Sequence, residues 1–414
     1  MAQKSHHFII AVGTIFTALN GVGTVWAQQL VAVPGPGLVA GLVDARAGEE
    51  GKVRTDPAAG KETTNHLGLG LRASVAYEDN VFLQAQDPVS DVVSRLTPWI
   101  SYDLGGKDAL DGAYLHLAYF PTAVLYADRS DEDRADHDAQ LEMAWRWQHV
   151  TLAYAGRFQR LGEPTADAGG LVDRNEWENA LRLAWTPREK MAYELSLGQK
   201  AKDYDDRALY NSTDLFGEAA AAYTYSPKTK LSLAYRFGSF DVDGGGKQDY
   251  HRLAARMEWK PREKVRVDFL AGAEHRRYDL GSDTTPVFSA TLGWNPRPGT
   301  DFALNAYRRV EASGFLLGEN YDLTGVSVNL SQRIGTAWTA SLEAGFEDAS
   351  YHRVSGEGPS GRHDKITFIR PRLLYRLNDK LGFSVFYRWN QNNSNTDQFG
   401  FADHSAGVEV EYTF

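Results

Sequence analysis

The stretch Gly407–Phe414 reads GVEVEYTF. In an extended chain successive side chains point to opposite faces, so Val408, Val410, Tyr412 and Phe414 share one face and Glu409, Glu411 and Thr413 the other. The last residues of a soluble domain usually fray into water. Here they form an alternating strand that ends on an aromatic side chain, and the pattern predicts a strand held by a neighbour.

The same period of two runs back from this strand to Leu67. LGLGLRASVAY (67–77) places Leu67, Leu69, Leu71, Ala73, Val75 and Tyr77 together. KVRVDFLAGAEHR (264–276) sets Val265, Val267, Phe269, Ala271 and Ala273 against Arg266, Asp268, Glu274 and Arg276. KLSLAYRFG (230–238) and KLGFSVFYRWN (380–390) repeat the form. Such alternation marks strands with one apolar face.

Two kinds of connection separate these strands. One is short: GGKDA (105–109), QHV (148–150), TPREK (186–190), SPKTK (226–230), KPREK (260–264), NPRPGT (295–300), IGTA (334–337) and LNDK (377–380). The other is longer, polar and rich in Gly or Asp, as in ADRSDEDRAD (127–136), LGEPTADAGG (161–170) and YHRVSGEGPSGR (351–362). Tight turns at one end and long loops at the other are the asymmetry of outer-membrane barrels. Segments starting near 67, 92, 113, 135, 150, 172, 190, 210, 230, 248, 264, 286, 300, 321, 337, 363, 380 and 403 predict an all-β, transmembrane, antiparallel up-and-down β-barrel of about 18 strands. An even count leaves both termini on the periplasmic side.

Composition agrees once the period is known. A mean hydropathy of −0.42 and 24% charged residues argue against a helical membrane protein, which needs runs of about 20 apolar residues. A barrel needs apolar residues only at alternate positions. The absence of cysteine excludes disulfides, thiolate nucleophiles and cysteine-ligated zinc. Lys4 followed by Phe8–Leu19 and by Val25, Trp26 and Ala27 reads as a signal peptide over 1–27. Residues 28–66, rich in Pro, Gly, Ala and charge, read as a flexible periplasmic segment before a barrel over 67–414.

Aromatic girdles form where a barrel meets the membrane interfaces. Trp147, Trp185, Trp259, Trp294 and Trp338 all lie within a few residues of a short turn, and Tyr412 and Phe414 join them at the end of the last strand. These residues are the predicted lower girdle.

The faces opposite the apolar ones carry Arg72, Arg95, Arg146, Arg157, Arg182, Arg236, Arg252, Arg256, Arg266, Arg276, Arg309 and Arg388. Among them stand Glu176, Glu178, Glu194, Glu218, Glu258, Glu274, Glu343 and Glu347. Arg370 and Arg372 join them, with Pro371 leaving the register of their strand open. A lipid-facing Arg or Lys near the midplane costs about 2 to 4 kcal/mol, so these side chains are predicted to line a wet lumen. They would either neutralise one another across neighbouring strands or form an arginine track for an anionic solute. The short turns are basic (Arg188, Lys190, Lys228, Lys230, Lys260, Arg262, Lys264, Arg297) and the long loops acidic (Asp128, Asp131, Glu132, Asp133, Asp203, Asp205, Asp206, Asp241, Asp243). Such polarity would draw polyanions to the periplasmic mouth, or would suit phospholipid heads inside and cation-bridged lipopolysaccharide outside.

YEDNVF (77–82), followed by SRLTPWISYDL (94–104), resembles the opening of a family of outer-membrane beta-barrel porins often encoded beside exopolysaccharide or capsule synthesis genes. The layout is also similar to that of the alginate export barrel. The resemblance implies a pore for secretion of an anionic exopolysaccharide or capsule polymer, with periplasmic export partners, or an accessory porin. A terminal aromatic strand is similar to the signal that barrel-assembly machinery reads.

The alternatives are a general or substrate-specific uptake porin and an outer-membrane hydrolase. A loop folded into the lumen would favour uptake, and the candidate loops are Val81–Val89 and Ser355–Arg362. A hydrolase would draw on Asp136 with His137, Asp249 with His251, His363 with Asp364, or Asp403, His404 and Ser405. No two histidines share the spacing of a tight metal site, and no catalytic residue, cofactor or metal ligand is assigned. A net charge of −10 without a basic, aromatic-studded face opposes nucleic-acid binding.

Overall fold

The computed structural model describes residues 65–105, 112–356 and 361–414. The predicted signal peptide, the segment up to residue 64 and most of the first short turn lie outside them. The strands are β1 (His66–Glu78), β2 (Asp91–Leu104), β3 (Gly112–Tyr119), β4 (Thr122–Tyr126), β5 (Arg134–Trp147), β6 (Val150–Thr165), β7 (Gly170–Arg188), β8 (Met191–Tyr204), β9 (Ser212–Ser226) and β10 (Thr229–Val242). They continue as β11 (Gly246–Arg262), β12 (Val265–Tyr278), β13 (Gly281–Trp294), β14 (Thr300–Ala312), β15 (Glu319–Ile334), β16 (Trp338–Arg353), β17 (His363–Arg376), β18 (Leu381–Ser394) and β19 (Phe401–Thr413).

All pairings are antiparallel between neighbours, and β3 and β4 both pair with β2 and β5, so they are two segments of one stave. The described residues therefore close a ring of 18 staves. The break between β3 and β4 falls at Phe120–Pro121, where proline cannot donate to the ladder.

The ring closes where the sequence predicts. β1 pairs with β19 from Gly70↔Thr413 to Glu78↔Ser405, and the Phe414 amide donates to the Leu69 carbonyl at 2.9 Å. An open edge in hydrocarbon would leave backbone groups unsatisfied at several kcal/mol each, so this seam is the condition for the barrel to exist in a membrane.

Alternation sorts the side chains. Leu197 is 63% exposed, and Leu233 and Val408 each 56%, whereas Ala234 between the outward positions of β10 is buried. A soluble protein rarely exposes an apolar surface this continuous; a hydrocarbon solvent requires it. Trp147, Trp185, Trp259, Trp294, Trp338 and Phe414 all stand exposed at the short-turn end, and Tyr412 packs edge-on to Phe414 at 6.2 Å. After Trp185 and Trp259 the ladder shifts register where Pro187 and Pro261 enter the turn, a bulge that removes the need for the missing proline donor.

The other end of the apolar band carries a second belt. Tyr119, Tyr235 and Tyr387 each share a hydrogen bond with the Nδ1 of an outward histidine on the next stave, His137, His251 and His404, at 2.8, 2.7 and 2.6 Å. On β11, His251 and Trp259 lie about 27 Å apart along the strand at 3.4 Å per residue. With a tilt near 40° this projects to a height of about 21 Å, a few Å short of the apolar band about 25 Å tall that such barrels present.

Candidate functional site

The interior wall is built in layers. Six aromatic side chains lie across a glycine directly opposite on the adjacent strand: Trp99 on Gly70, Phe216 on Gly198, Tyr250 on Gly238, Tyr307 on Gly325, Phe368 on Gly345 and Phe386 on Gly407. A Cβ added at any of these glycines would fall inside the ring it faces, at 2.1 to 2.6 Å. Four of these rings are capped in turn by a guanidinium: Arg236 over Phe216 at 4.2 Å, Arg276 over Tyr250 at 4.7 Å, Arg309 over Tyr307 at 4.7 Å and Arg370 over Phe368 at 4.6 Å. Glycine, ring and arginine thus lie flat against the wall, and the cation–π contact is made where both partners are shielded from bulk water.

The predicted interior arginines are held by carboxylates. Glu78 lies between Arg95 (2.9 Å) and Arg388 (2.7 Å), Glu274 between Arg252 (2.9 Å) and Arg276 (2.7 Å), and Glu218 between Arg236 (2.9 Å) and Arg256. Arg72 meets Glu411 at 2.9 Å, Arg157 Asp138 at 2.6 Å, Arg182 Glu194 at 2.6 Å and Arg370 Glu343 at 3.2 Å. Arg266 and Arg309 pair two residues along their own strands with Asp268 and Glu311, each at 2.7 Å, and Arg372 pairs with Glu409. Arg146 is buried. Pro371 does not shift the register: β17 keeps one register with β16 and with β18 on both sides of it, while the ladder to β18 skips Arg370 and Pro371. Of the two arrangements open from sequence, the geometry is that of mutual neutralisation.

Across this lined space runs the ribbon formed by the tips of β6 and β7. β5 pairs with β6 only as far as His137↔Arg160, and β8 with β7 only as far as Arg174↔Tyr204. Beyond those points β6 and β7 pair with each other alone, up to Thr165↔Gly170. A two-stranded ribbon free of the sheet twists more strongly than the sheet itself, and this one turns inward. Its tip is closed by the Gly169 amide donating to the Thr165 carbonyl at 2.8 Å, with Gly169 at φ +70°, a conformation that favours glycine.

The tip reaches β14–β17, on the far side of the ring from β6. The Asp167 carboxylate accepts from Ser313 Oγ at 2.8 Å, the Gly314 amide at 2.7 Å and Tyr351 OH at 3.1 Å. Arg362, just before β17, donates to the Ala166 carbonyl at 2.6 Å and the Asp167 carbonyl at 2.8 Å. Its guanidinium also grips Asp364 at 2.6 Å and lies 3.5 Å over the Phe399 ring. Burial works against this charge, but Tyr351, Asp364 and Asp167 more than offset it and hold the Arg362 pKa above the usual arginine value.

Below the ribbon lies a cavity of about 90 Å³, bounded by β1, the ribbon and β15–β19. Val81 and Leu83 of the first long loop enter its wall, and Leu83 packs on Ala166, Ile366 and Phe401. The loops named from sequence, Val81–Val89 and Ser355–Arg362, therefore both contribute residues to the closure, but the segment that crosses the lumen is LGEPTADAGG (161–170). No apolar alternation runs through this stretch, and it is the pairing that makes it a ribbon: β6 and β7 run past their outer neighbours. Trp99, an interior ring on β2, and the Tyr–His belt were also not singled out.

Three of the four groups considered for hydrolysis are split between the two faces of their strands. Asp136 and Asp364 are buried inside while His137 and His363 point outward; Asp403 and Ser405 face in while His404 between them faces out and bonds Tyr387. Adjacent residues of a strand cannot meet on one face. Asp249 and His251 share the outward face. Among the described residues no group of three or more His, Cys, Asp or Glu side chains is placed to hold a metal ion.

No curated protein matches the chain in sequence. Among solved structures it is similar to Pseudomonas aeruginosa OpdQ (14% identity, 84% of this chain and 97% of that one, TM-score 0.44). It is similar also to Acinetobacter baumannii OccAB3 (11%, 84% and 99%, 0.46) and to the outer membrane protein opdK of Pseudomonas aeruginosa (11%, 84% and 99%, 0.42). Over residues 262–414, from the end of β11 through the closing strand β19, the sequence matches the family described as "Putative beta-barrel porin 2".

Proposed function

We propose that this barrel is a selective diffusion channel for small solutes, with the β6–β7 ribbon as its constriction. The observation that carries this reading is the anchoring of Asp167 and Ala166 to Ser313, Gly314, Tyr351 and Arg362 on the opposite wall. An 18-stave barrel without an obstruction encloses a broad aqueous channel. A ribbon tied across that channel divides it into passages for small molecules.

Export of an anionic exopolysaccharide or capsule polymer, implied by the sequence resemblance, is less well supported. A polymer in transit needs an unobstructed lumen and a run of available cations, whereas the interior arginines here are engaged by carboxylates. The partners this reading carries are outer-membrane lipid with lipopolysaccharide outside, and the barrel-assembly machinery for the aromatic closing strand, with both termini periplasmic.

Liposome swelling with sugars of graded size tests the proposal. Monosaccharides should enter vesicles holding the native protein and oligosaccharides of four or more units should not. Free passage of long acidic oligosaccharides through the native protein would return the export reading.

A further inference from the structure

A second ladder of the ring also stops short. β13 pairs with β12 from Val265↔Trp294 to Tyr278↔Gly281, but with β14 only from Trp294↔Phe302 to Phe288↔Arg308. β14 and β15 go on pairing with each other to Ala312↔Asn320, and β15 with β16 to Glu319↔Arg353. The end of the β14–β15 hairpin is therefore a leaf, attached along β16 and free along β14.

The leaf stands inside the wall. Successive side chains of a strand alternate, so Asn320 shares a face of β15 with Val326, which is 42% exposed on the lipid side. Yet the Asn320 side-chain amide exchanges two hydrogen bonds, at 3.1 and 2.8 Å, with Gln248 on the inward face of β11. β11 and β15 are four staves apart, about 19 Å along a wall with about 4.8 Å between strands. The outer face of one can meet the inner face of the other only if the leaf lies in the lumen, over β11–β13. Beneath it the Glu274 side chain on β12 is 0% exposed, while Asp268, on the same face nearer the short turn, keeps 34%. The tip of the leaf carries Ser313 and Gly314, the donors that hold Asp167, and its Gly314 carbonyl accepts from the Tyr210 amide of the β8–β9 loop at 2.8 Å.

We propose that the β14–β15 leaf is a gate, closed in this structure, which swings outward about its ladder with β16 and opens the passage beside the ribbon along β8–β13. Opening breaks the Gln248–Asn320 pair and the tip bonds to Asp167 and Tyr210. In exchange β14 can extend its ladder with β13 to Val287↔Arg309 and beyond, where Pro286 has no donor to give and keeps the gain small. The leaf thus has two discrete arrangements with compensating hydrogen bonds, which is what a switching element requires. This inference rests on the channel reading and names the element that moves.

The chain has no cysteine, so Gln248→Cys with Asn320→Cys supplies its only two thiols. A short bis-methanethiosulfonate reagent then tethers the leaf to β11 in the folded, heat-modifiable barrel, and dithiothreitol releases it. In planar bilayers the tethered protein should lose its larger openings, and dithiothreitol should restore them on the same preparation. Asn320→Ala, which touches neither Asp167 nor the ribbon, should raise the time spent in those openings about tenfold, as expected for the loss of one or two neutral hydrogen bonds. Equal conductance and open time in the tethered and released protein would overturn the gate. Asn320→Ala and the tether without effect, beside larger openings in Asp167→Ala, would do the same and leave the ribbon as the constriction. Openings that respond to the tether but not to Asp167→Ala would retire the ribbon and leave the gate standing.

Discussion

Replacing Asp167 by alanine removes the side chain that ties the ribbon to the far wall. Three hydrogen bonds to the carboxylate are lost, from Ser313 Oγ, the Gly314 amide and Tyr351 OH. Each is a bond to a charged group, worth about 1.5 to 3 kcal/mol. They share one acceptor and are not additive. The two bonds from Arg362 to the Ala166 and Asp167 carbonyls persist in the variant. A net loss of about 3 kcal/mol is therefore reasonable, and at 1.4 kcal/mol per tenfold this shifts the equilibrium between docked and undocked ribbon by about a hundredfold. In planar bilayers Asp167→Ala should show long-lived openings of larger conductance than the native protein. Asp167→Asn, which keeps an acceptor oxygen, should fall between. A folded Asp167→Ala barrel whose conductance and gating equal those of the native protein would refute the claim that the ribbon is the constriction.

Other perturbations separate wall from lumen. Leu233→Arg puts a charge on the outward face of β10 and should destabilise the barrel in lipid vesicles by about 2 to 4 kcal/mol; Ser232→Arg on the inward face should cost much less, and a reversed order in urea unfolding would overturn the assignment of faces. Gly238→Val drives a side chain into the Tyr250 ring, where even a Cβ would lie 2.4 Å away, and should lower the urea midpoint by the equivalent of about 1 to 3 kcal/mol. Arg362→Met removes the guanidinium from Asp364 and from the ribbon carbonyls together, so larger openings should accompany loss of stability, read by conductance and by heat-modifiability on the same preparation.

The faces of the strands were legible because lipid on one side and water on the other impose a strict period of two. The start of β5 near 135, of β14 at 300 and of β17 at 363 could each be read to within a residue. β13 was placed late, at 286 rather than Gly281, because SDTT carries no apolar signal. The interruption at Phe120–Pro121 was hidden because alternation resumes on the same stave. The ribbon was harder for a physical reason: its inward turn depends on where β5 and β8 stop pairing, and one strand's alternation says nothing of its neighbour's length. Likewise the pairing of Arg388 with Glu78, 310 positions away in sequence, is set by ring closure and no local pattern encodes it.

The glycines beneath the interior rings bear on how the barrel is assembled. A strand that slipped by two residues against its neighbour would keep lipid and water on their proper sides, so hydrophobicity alone could not reject the error. With the slip, Tyr250 would lose Gly238 and meet Phe240 or Arg236 instead, and Phe216, Tyr307, Phe368 and Phe386 would each lose their glycine if their own ladders slipped. The missing side chains act as a proofreading code, and fidelity of folding in this protein is written in the residues that have least to show.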